Sequence, residues 1–336
     1  MIWRAVFMGQ RVIWQKLKSF GSFLLILLLL PYVVTVFIHG ADMKAGGRES
    51  GCFVKIKAVD GEGKEQICEV PWEDYFLGVL GREIPEECEP EFLKAQAVLI
   101  RTKIYQTLES GEEKVLTECY LSPEELKKKL SSSDYKVTYE DLETAMRETE
   151  NQVLYYQDTY AWVPFHQSGN GMTRSAQEVL GTDQYPYLVL KECPLDKEAE
   201  NEMQITTYEY REVQSKCQAF LVAVEESEAE TTYGFSDFEI ISYDSAGYVS
   251  EMRIGETTCT GDQFRDALSL ASSAFSLKDA DGRLRITTMG KGHGLGMSQW
   301  TANEMAKEGK SYEEILQYFF EGTSLTDGGE IFTKIE

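Results

Sequence analysis

The sequence is short of positive charge. It contains 33 Lys and Arg residues against 56 Asp and Glu, which gives a formal net charge of -23 at pH 7. Phosphate backbones are bound by clustered Lys and Arg, so this deficit argues against nucleic acid as a partner. At 43% hydrophobic and 26% charged residues, the composition is nevertheless that of a globular protein rather than a disordered chain.

Cysteine pairs at metal-binding spacing are also absent. The seven Cys are dispersed and form no C-x-x-C pair, which argues against a cysteine-based zinc site. Because the count is odd, at least one thiol has no disulfide partner within the chain. Cys52 and Cys68 flank a predicted hairpin and are candidates for a disulfide, with buried free thiols as the alternative.

Charge of either sign is missing from residues 20–38, FGSFLLILLLLPYVVTVFI. Nineteen helical residues span about 30 Å, the thickness of the hydrocarbon core of a bilayer. Four basic residues precede this run, so residues 1–19 are predicted to be cytoplasmic, 20–38 to form one transmembrane helix, 39–51 to be a Gly-rich linker and 52–336 to be extracytoplasmic. A cleaved signal peptide is the alternative, but its apolar region is usually shorter.

Strand and helix patterns are mixed after residue 51, without a regular βαβ alternation. Alternating residues at 53–59 and 65–70 predict a hairpin, and Pro90 is placed to begin a long helix that runs to about Leu108. A second hairpin is predicted around residues 244–247, and a helix over residues 208–224. We therefore predict an α+β fold: a single mixed ectodomain of hairpins and helices, preceded by one transmembrane helix.

The segment Gly290-Lys-Gly-His-Gly-Leu-Gly-Met-Ser-Gln lacks the signatures of common glycine-rich sites. No G-K-[ST] closes a phosphate loop, and no G-x-S-x-G forms a nucleophile elbow. Two of the three His residues of the chain, His166 and His293, lie in Gly-rich segments. We expect the two segments to converge on one cleft. A metal site is the alternative, but it is weakly supported because no Cys or carboxylate lies at ligand spacing from the two His.

Glu83 is a candidate general acid because it lies between a short apolar helix and Pro85. A carboxyl half desolvated there by Val79, Leu80 and Ile84 is suited to hold a proton near neutral pH. The other interpretation is a solvated Glu at a helix end, one of 56 acidic residues in the chain.

The segments YFLGVLGREIP, EFLKAQAVLIRT, FHQSGNGMT and GKGHGLGMSQWTANEMAKEGKSYEEILQYFFEG follow one another along the chain. They resemble the successive motifs of the stage II sporulation protein D family, over roughly residues 52–325. The resemblance implies a single-pass cell-membrane lytic transglycosylase that cleaves peptidoglycan glycan strands, preferentially strands stripped of stem peptides, to 1,6-anhydromuramic ends during endospore engulfment.

The resemblance also implies which residues act. The acidic position of the first motif falls on Glu83, as catalytic acid. The supporting or substrate-binding positions fall on residues of three motifs: Lys94, Gln96 and Arg101; His166, Ser168 and Thr173; and His293, Ser298 and Gln299. On this basis Lys94 and Arg101 are expected to orient Glu83 or to bind sugar oxygens, and the two His to line the glycan groove.

Some family members have Cys beside the loop His and a few residues before it, and bind zinc there. This chain has Gln167 and Ala161 at those positions, so the resemblance implies neither zinc nor another cofactor. An amidase and an engulfment membrane protein are implied as partners by the family alone. The alternative function is a non-catalytic, wall-binding stimulator of an N-acetylmuramoyl amidase. A serine hydrolase using Ser298 and His293 is disfavoured because no elbow motif surrounds the serine.

Overall fold

The computed structural model describes residues 52–59, 65–111, 114–199, 202–221 and 233–329, which belong to one compact unit, Cys52–Glu336. The predicted cytoplasmic segment, transmembrane helix and linker lie outside the described residues. Within the described ranges, no helix combines the length and the apolar character that crossing a membrane requires.

The first predicted hairpin is confirmed. Strand Phe53–Val59 pairs with Glu65–Pro71 in antiparallel register, with Ile56 opposite Cys68. The Trp72 N–H donates to the Cys52 carbonyl at 2.8 Å, so Cys52 lies at the other end of the ladder. Four residues of strand separate the two thiol positions by about 13 Å, whereas disulfide Cα atoms lie within about 7 Å. The suggested pairing is therefore wrong, and all seven Cys are free thiols.

Two consecutive helices form the centre of the molecule. The first, Trp72–Glu83, begins after Pro71 and ends where Ile84 becomes extended. The second, Pro90–Ser110, starts with proline at its first position, where a missing N–H costs nothing. The second helix is buried on most of its circumference, so its polar residues must find partners inside the protein.

Seven further helices surround this pair within the described residues. Two of them, Pro123–Leu130 and Tyr139–Glu148, begin with capping boxes at Ser122 and Thr138, which satisfy the free N–H groups of the first turn. The others are Ala176–Leu180, Tyr210–Lys216, Gly261–Leu268, Gln299–Lys307 and Tyr312–Phe319.

The strands form five small sheets of two or three strands in the described part of the chain. Their members, in spatial order, are Glu65–Pro71, Phe53–Val59 and Val115–Leu116; Thr257–Cys259, Val249–Ile254 and Phe238–Tyr243; Phe275–Asp279, Leu284–Met289 and Met203–Tyr208; Met297–Ser298 and Phe165–His166; Ser324–Asp327, Gln152–Tyr156 and Thr159–Tyr160. The predicted mixed α+β class is confirmed in this coarse form.

One predicted helix is shorter, in the described residues, than the sequence favours. The prediction covers residues 208–224, whereas the helix found is Tyr210–Lys216 and Tyr208 ends the strand Met203–Tyr208. The strand pairs with Leu284–Met289, about 80 residues later in the chain. The prediction is therefore corrected at Tyr208, where pairing with Leu284 determines the conformation.

Candidate functional site

The two Gly-rich segments lie side by side. Phe165–His166 pairs in parallel with Met297–Ser298, and the N–H groups of Gln167 and Ser168 both donate to the Lys291 carbonyl at 3.1 Å. A Cβ atom at Gly292 would lie 2.5 Å from the His166 Cβ, and Gly292 has a φ of 131°. Glycine is required there because the two backbones approach too closely for a side chain.

His166 and His293 meet at this contact, as the sequence predicts. Their ring centroids are 5.7 Å apart. The His166 Nδ1 lies 3.1 Å from the Leu295 carbonyl, and the Leu295 N–H donates to the His293 Nδ1 at 3.0 Å. Burial lowers the pKa of His166 to about 4. Burial, with His166 and Arg265 nearby, lowers the pKa of His293 to about 3, so both rings are neutral at neutral pH.

Glu83 ends its helix beside these loops. Its side chain is 40% exposed, and its carboxylate lies 3.6 Å from the Arg82 guanidinium. Val79, Leu80 and Ile84, the apolar residues around it in sequence, are themselves buried in the core. The carboxylate thus emerges from an apolar support into open space, where a substrate can reach it.

The backbone at Glu83 is held by the opposite motif. The Gln299 Nε2 donates to the Glu83 carbonyl at 2.8 Å and to the Gln96 Oε1 at 3.2 Å. Both glutamine side chains are buried, so each depends on the other for its hydrogen bonds. Gln96 and Gln299, both predicted from sequence, therefore position Glu83 through its main chain.

Lys129 is a further positively charged neighbour that the sequence did not reveal. Its Nζ donates to the Gly81 carbonyl at 2.7 Å and to the Arg82 carbonyl at 3.1 Å, so it caps the last turn of the Glu83 helix. Burial lowers the pKa of Lys129, while the Glu83 carboxylate acts in the opposite direction. The ammonium group therefore lies at the end of the helix that carries Glu83.

Asp196 links the two Gly-rich segments through hydrogen bonds. Its carboxylate is fully buried and accepts hydrogen bonds from the Ser298 and Thr301 hydroxyls at 2.6 Å, and from the Gly169 N–H at 2.5 Å. Burial raises the pKa of Asp196. Ser298 also accepts from the Thr301 N–H as the helix N-cap. Its hydroxyl is thus a structural group, which removes support from a serine hydrolase.

Arg174 supports the loop that contains His293. Its guanidinium binds Asp244 at 2.7 Å and Asp262 at 2.9 Å, and it donates to the His293 carbonyl at 3.2 Å. Burial opposes its charge, but Asp262 and Asp244 raise the pKa of Arg174 overall. A buried cation with two carboxylates and a carbonyl is a fixed structural point rather than a ligand for substrate.

Three neighbouring cavities beside these residues share lining residues, and together we call them the groove. The inner cavity, of about 310 Å³, and the central cavity, of about 550 Å³, share Glu83 and Phe165 in their linings. The central cavity and the outer cavity, of about 850 Å³, share Pro85, Gln167 and Lys291. Glu83 thus lines two of the three cavities, and a run of neighbouring cavities is suited to a polymer.

Positive charge collects in the central cavity although the chain is strongly acidic. Arg82, Lys129, Arg265 and Lys291 line it, against the carboxylates of Glu83 and Glu86. Clefts lined by one sign of charge raise the local concentration of oppositely charged ligands. The cavity is therefore suited to a substrate that carries carboxylate groups.

Comparisons with known proteins identify the family of this chain. The family described as "Stage II sporulation protein" matches residues 60–156. Stage II sporulation protein D of Bacillus subtilis is 30% identical over 282 residues, covering 80% of this chain and 78% of the relative. Its counterpart in Bacillus amyloliquefaciens is 30% identical over 298 residues, covering 85% and 82%. The chain belongs to the stage II sporulation protein D family. The "Amidase enhancer" of B. subtilis is 40% identical over 55 residues, which is 16% of this chain and 8% of that protein.

Not every residue assigned through the stage II sporulation protein D resemblance lies in the groove. Arg101 is 2% exposed, and its guanidinium donates to the carbonyls of Met146, Thr149 and Gln152 at 3.1, 2.6 and 3.2 Å. It also packs on the Phe76 ring. All of these partners belong to the protein interior, so the structure places Arg101 in the core and not beside Glu83 as predicted.

Lys94 and Thr173 also lie elsewhere than expected. The Lys94 ammonium binds Glu91 at 2.7 Å and Glu148 at 2.8 Å, and it does not line the groove described above. The Thr173 hydroxyl donates to the Val189 carbonyl and accepts from the Lys191 N–H. Ser168 is buried but lines the outer cavity, so it stays a candidate for substrate contact.

The zinc site of some stage II sporulation protein D relatives does not fit this chain. Ala161 offers no donor atom, and Gln167 is exposed at the edge of the loop. Across the ranges that the structure describes, no group of three or more His, Cys, Asp or Glu side chains is arranged to hold a metal ion.

Proposed function

We propose that this protein acts in sporulation as a peptidoglycan lytic transglycosylase with Glu83 as its catalytic acid. The position of Glu83 carries the proposal, because its carboxylate is 40% exposed and lines both the inner and the central cavity. A glycan strand lying in the groove would pass this carboxylate. The names of the relatives, which refer to sporulation, support the biological context.

In the proposed reaction, Glu83 donates its proton to the glycosidic oxygen as the bond to the anomeric carbon of muramic acid breaks. The 6-hydroxyl of the same sugar attacks that carbon, and the Glu83 carboxylate takes up the hydroxyl proton. One carboxylate therefore serves as acid and then as base, whereas glycoside hydrolysis usually employs two. The nucleophile belongs to the substrate, so proximity within one sugar replaces the activation of water. The product is a 1,6-anhydromuramic end.

The charges of the central cavity fit a strand stripped of stem peptides. Removal of the peptide leaves a carboxylate on the lactyl group of each muramic acid. Arg265 and Lys291 line the central cavity with Glu83, and the Arg265 Nε is buried without a hydrogen-bond partner among the described residues. A carboxylate of the substrate would accept hydrogen bonds from the side chains of Arg265 and Lys291.

A hydrolase is the competing enzyme class, and it would need a second carboxylate. Glu86 lines the central cavity, and Glu118 lines the inner cavity, where Lys103 binds it at 3.0 Å.

The amidase-stimulating alternative is favoured by a different observation, the 55-residue similarity to the amidase enhancer. Such a protein would bind glycan in the groove without depending on Glu83.

We further propose that residues 20–38 anchor the protein in the cell membrane, that the groove faces the wall, and that an amidase prepares the stripped strands. An engulfment membrane protein is proposed as a second partner. Co-purification of these partners from sporulating cells, compared between the full chain and a variant with a scrambled 20–38 segment, tests this arrangement. Unchanged recovery with the scrambled segment would contradict it.

The experiment that tests the catalytic proposal compares the detergent-purified full chain with its Glu83→Gln variant on glycan strands with and without stem peptides. We expect cleavage of stripped strands by the unaltered chain and a loss of about 1000-fold or more in the variant, with strand binding retained. Cleavage that persists in the variant would contradict the role of Glu83. Absence of cleavage in both proteins, with binding retained, would favour the amidase-stimulating function.

A further inference from the structure

A fourth cavity, of about 390 Å³, lies beyond the groove and is lined by aromatic side chains. We call it the aromatic pocket. Its aromatic lining is Tyr156, Tyr160, Trp162, Tyr185 and Tyr187, and its remaining lining is Gln106, Glu109, Ser110, Thr159 and Gln184. We propose that the aromatic pocket is a distal saccharide-binding site for neutral N-acetylhexosamine units of the same strand that passes Glu83. This inference rests on the proposed function, because it extends that substrate along the protein.

The aromatic pocket is a neighbour of the groove. Trp162 lines both the aromatic pocket and the inner cavity, the cavity that also contains Glu83. The helix Pro90–Ser110 forms one wall of both, with Lys103 and Ile104 at the inner cavity and Gln106 and Ser110 at the aromatic pocket. At 1.5 Å per residue these positions are roughly 3 to 10 Å apart along the helix axis. A chain that leaves the inner cavity along this helix therefore reaches the aromatic pocket next.

The rings are held in place before any ligand binds. The Tyr187 hydroxyl accepts from the Trp162 N–H at 2.8 Å and lies 3.2 Å from the Trp162 carbonyl, to which it donates. The Trp162 and Tyr185 ring centroids are 4.7 Å apart, and those of Tyr156 and Tyr187 are 4.8 Å apart. Tyr187 is buried beneath, whereas Tyr156, Trp162 and Tyr185 stay partly exposed. Fixed rings bind with little loss of conformational entropy.

The chemistry of the lining indicates a neutral sugar. The C–H bonds on one face of a pyranose ring form an apolar surface with slight positive charge, which matches the electron-rich face of Trp or Tyr. Gln184 and Thr159 are exposed at the edge and offer amide and hydroxyl groups to sugar hydroxyls or to an N-acetyl group. No Lys or Arg lines the aromatic pocket among the described residues, in contrast to the central cavity. Carboxylate-bearing units are thus expected near Glu83, and uncharged units at this site.

Tyr185 is the residue on which to test the proposal, because it lines the aromatic pocket but none of the three groove cavities. Tyr185→Ala removes the ring, and Tyr185→Phe keeps it and serves as the matched control. Tyr243→Ala, at a residue that is 53% exposed and lies outside the lining of these cavities, controls for loss of any surface aromatic ring. Thermal unfolding of each variant shows that the fold is intact.

Binding is measured with the full chain carrying Glu83→Gln, so that strands are not consumed, against stripped glycan strands of increasing length. We expect Tyr185→Ala to weaken binding of long strands by about tenfold and to leave the shortest ligands unaffected. Tyr185→Phe and Tyr243→Ala should bind within about twofold of the parent. The same length dependence should appear in cleavage when Glu83 is present.

Equal binding of long strands by Tyr185→Ala and its parent would overturn the distal site. So would an equal loss at all ligand lengths, because that result indicates damage to the groove itself. These outcomes are separate from failure of the proposed function. If Glu83→Gln cleaves like the unaltered chain, the catalytic proposal fails while the binding series still decides the distal site.

Discussion

The side-chain amide of Gln299 donates to the backbone carbonyl of Glu83 at 2.8 Å, across 216 residues of sequence. One turn later on the same helix, the Asn303 Oδ1 accepts from the Glu89 N–H at 2.8 Å. The helix Gln299–Lys307 therefore holds the segment after Glu83 at two points. The position of the proposed acid depends on a motif at the other end of the chain.

Gln299→Leu should slow cleavage more than it weakens binding. The substitution removes both hydrogen bonds of the amide and leaves the buried Gln96 and the Glu83 carbonyl without them. A shift of about 1 Å at Glu83 is expected to lower kcat by roughly 10- to 100-fold, with KM changed by less than about threefold. Asn303→Leu is the matched control, because it loosens the same segment farther from Glu83 and should cost stability with a smaller change in kcat. Equal kcat losses in the two variants would contradict a positioning role for Gln299.

Lys129→Met should slow cleavage by loosening the end of the Glu83 helix. The ammonium donates to the carbonyls of Gly81 and Arg82, and a methionine side chain cannot replace these hydrogen bonds. We expect kcat to fall by roughly tenfold, because the position of Glu83 depends on this helix end. Lys129→Arg retains the donors and should keep most of the rate. An unchanged kcat in Lys129→Met would contradict this role of Lys129.

Arg101→Lys should destabilise the fold without a specific effect on the reaction. The planar guanidinium donates to the carbonyls of Met146, Thr149 and Gln152, a set that a single ammonium cannot reach. We expect the free energy of unfolding to fall by about 2 to 4 kcal/mol. Denaturant unfolding measures this loss, and glycan binding per folded molecule should stay unchanged. A loss of cleavage with an unchanged free energy of unfolding would instead support the role in the site that the sequence predicts for Arg101.

Glu202→Gln should change stability in a pH-dependent manner. Burial, with the Asp196 carboxylate nearby, raises the pKa of Glu202 from its ordinary 4.5 to about 7. The stability gained from protonation is therefore fully present below pH 4.5 and is lost as the pH rises through 7. A neutral Gln mimics the protonated form, so the variant should be more stable than the parent at pH 8 by roughly 1 to 3 kcal/mol and similar to it at pH 5.

Denaturant titrations at the two pH values check the Glu202 prediction, with the exposed Glu192→Gln as control. A difference between variant and parent that is the same at both pH values would show that the carboxyl does not titrate in this range.

The sequence predicted the elements whose signals are local. The alternation in residues 53–59 reports a strand with one buried face, and Pro90 marks the start of a helix. The meeting of His166 and His293 was also predictable, because the Gly-rich segments around them allow close approach of two backbones. Hairpins, caps and tight turns are specified by neighbours in sequence, which a single chain reveals.

Other parts of the site depend on distant partners and were missed. Arg101 lies on a helix that passes through the interior, and its hydrogen-bond partners come from residues 146–152. Asp196 carries no motif of its own, yet it is fixed by Ser298 and Thr301, more than 100 residues later. Lys129 reaches the Glu83 helix from the short helix Pro123–Leu130, whose Leu126 is buried. Tertiary packing decides which polar residues are buried, and the periodicity of the sequence does not reveal that packing.

The central claim is that the 6-hydroxyl of the substrate, and not water, completes the reaction begun by Glu83. The most direct test is cleavage of stripped glycan strands in water labelled with heavy oxygen, followed by mass spectrometry of the new ends. We predict ends that are lighter by one water than hydrolysis products, that contain no heavy oxygen, and that disappear in Glu83→Gln. Reducing ends that carry the heavy oxygen would contradict this mechanism and identify a hydrolase with a second catalytic carboxylate.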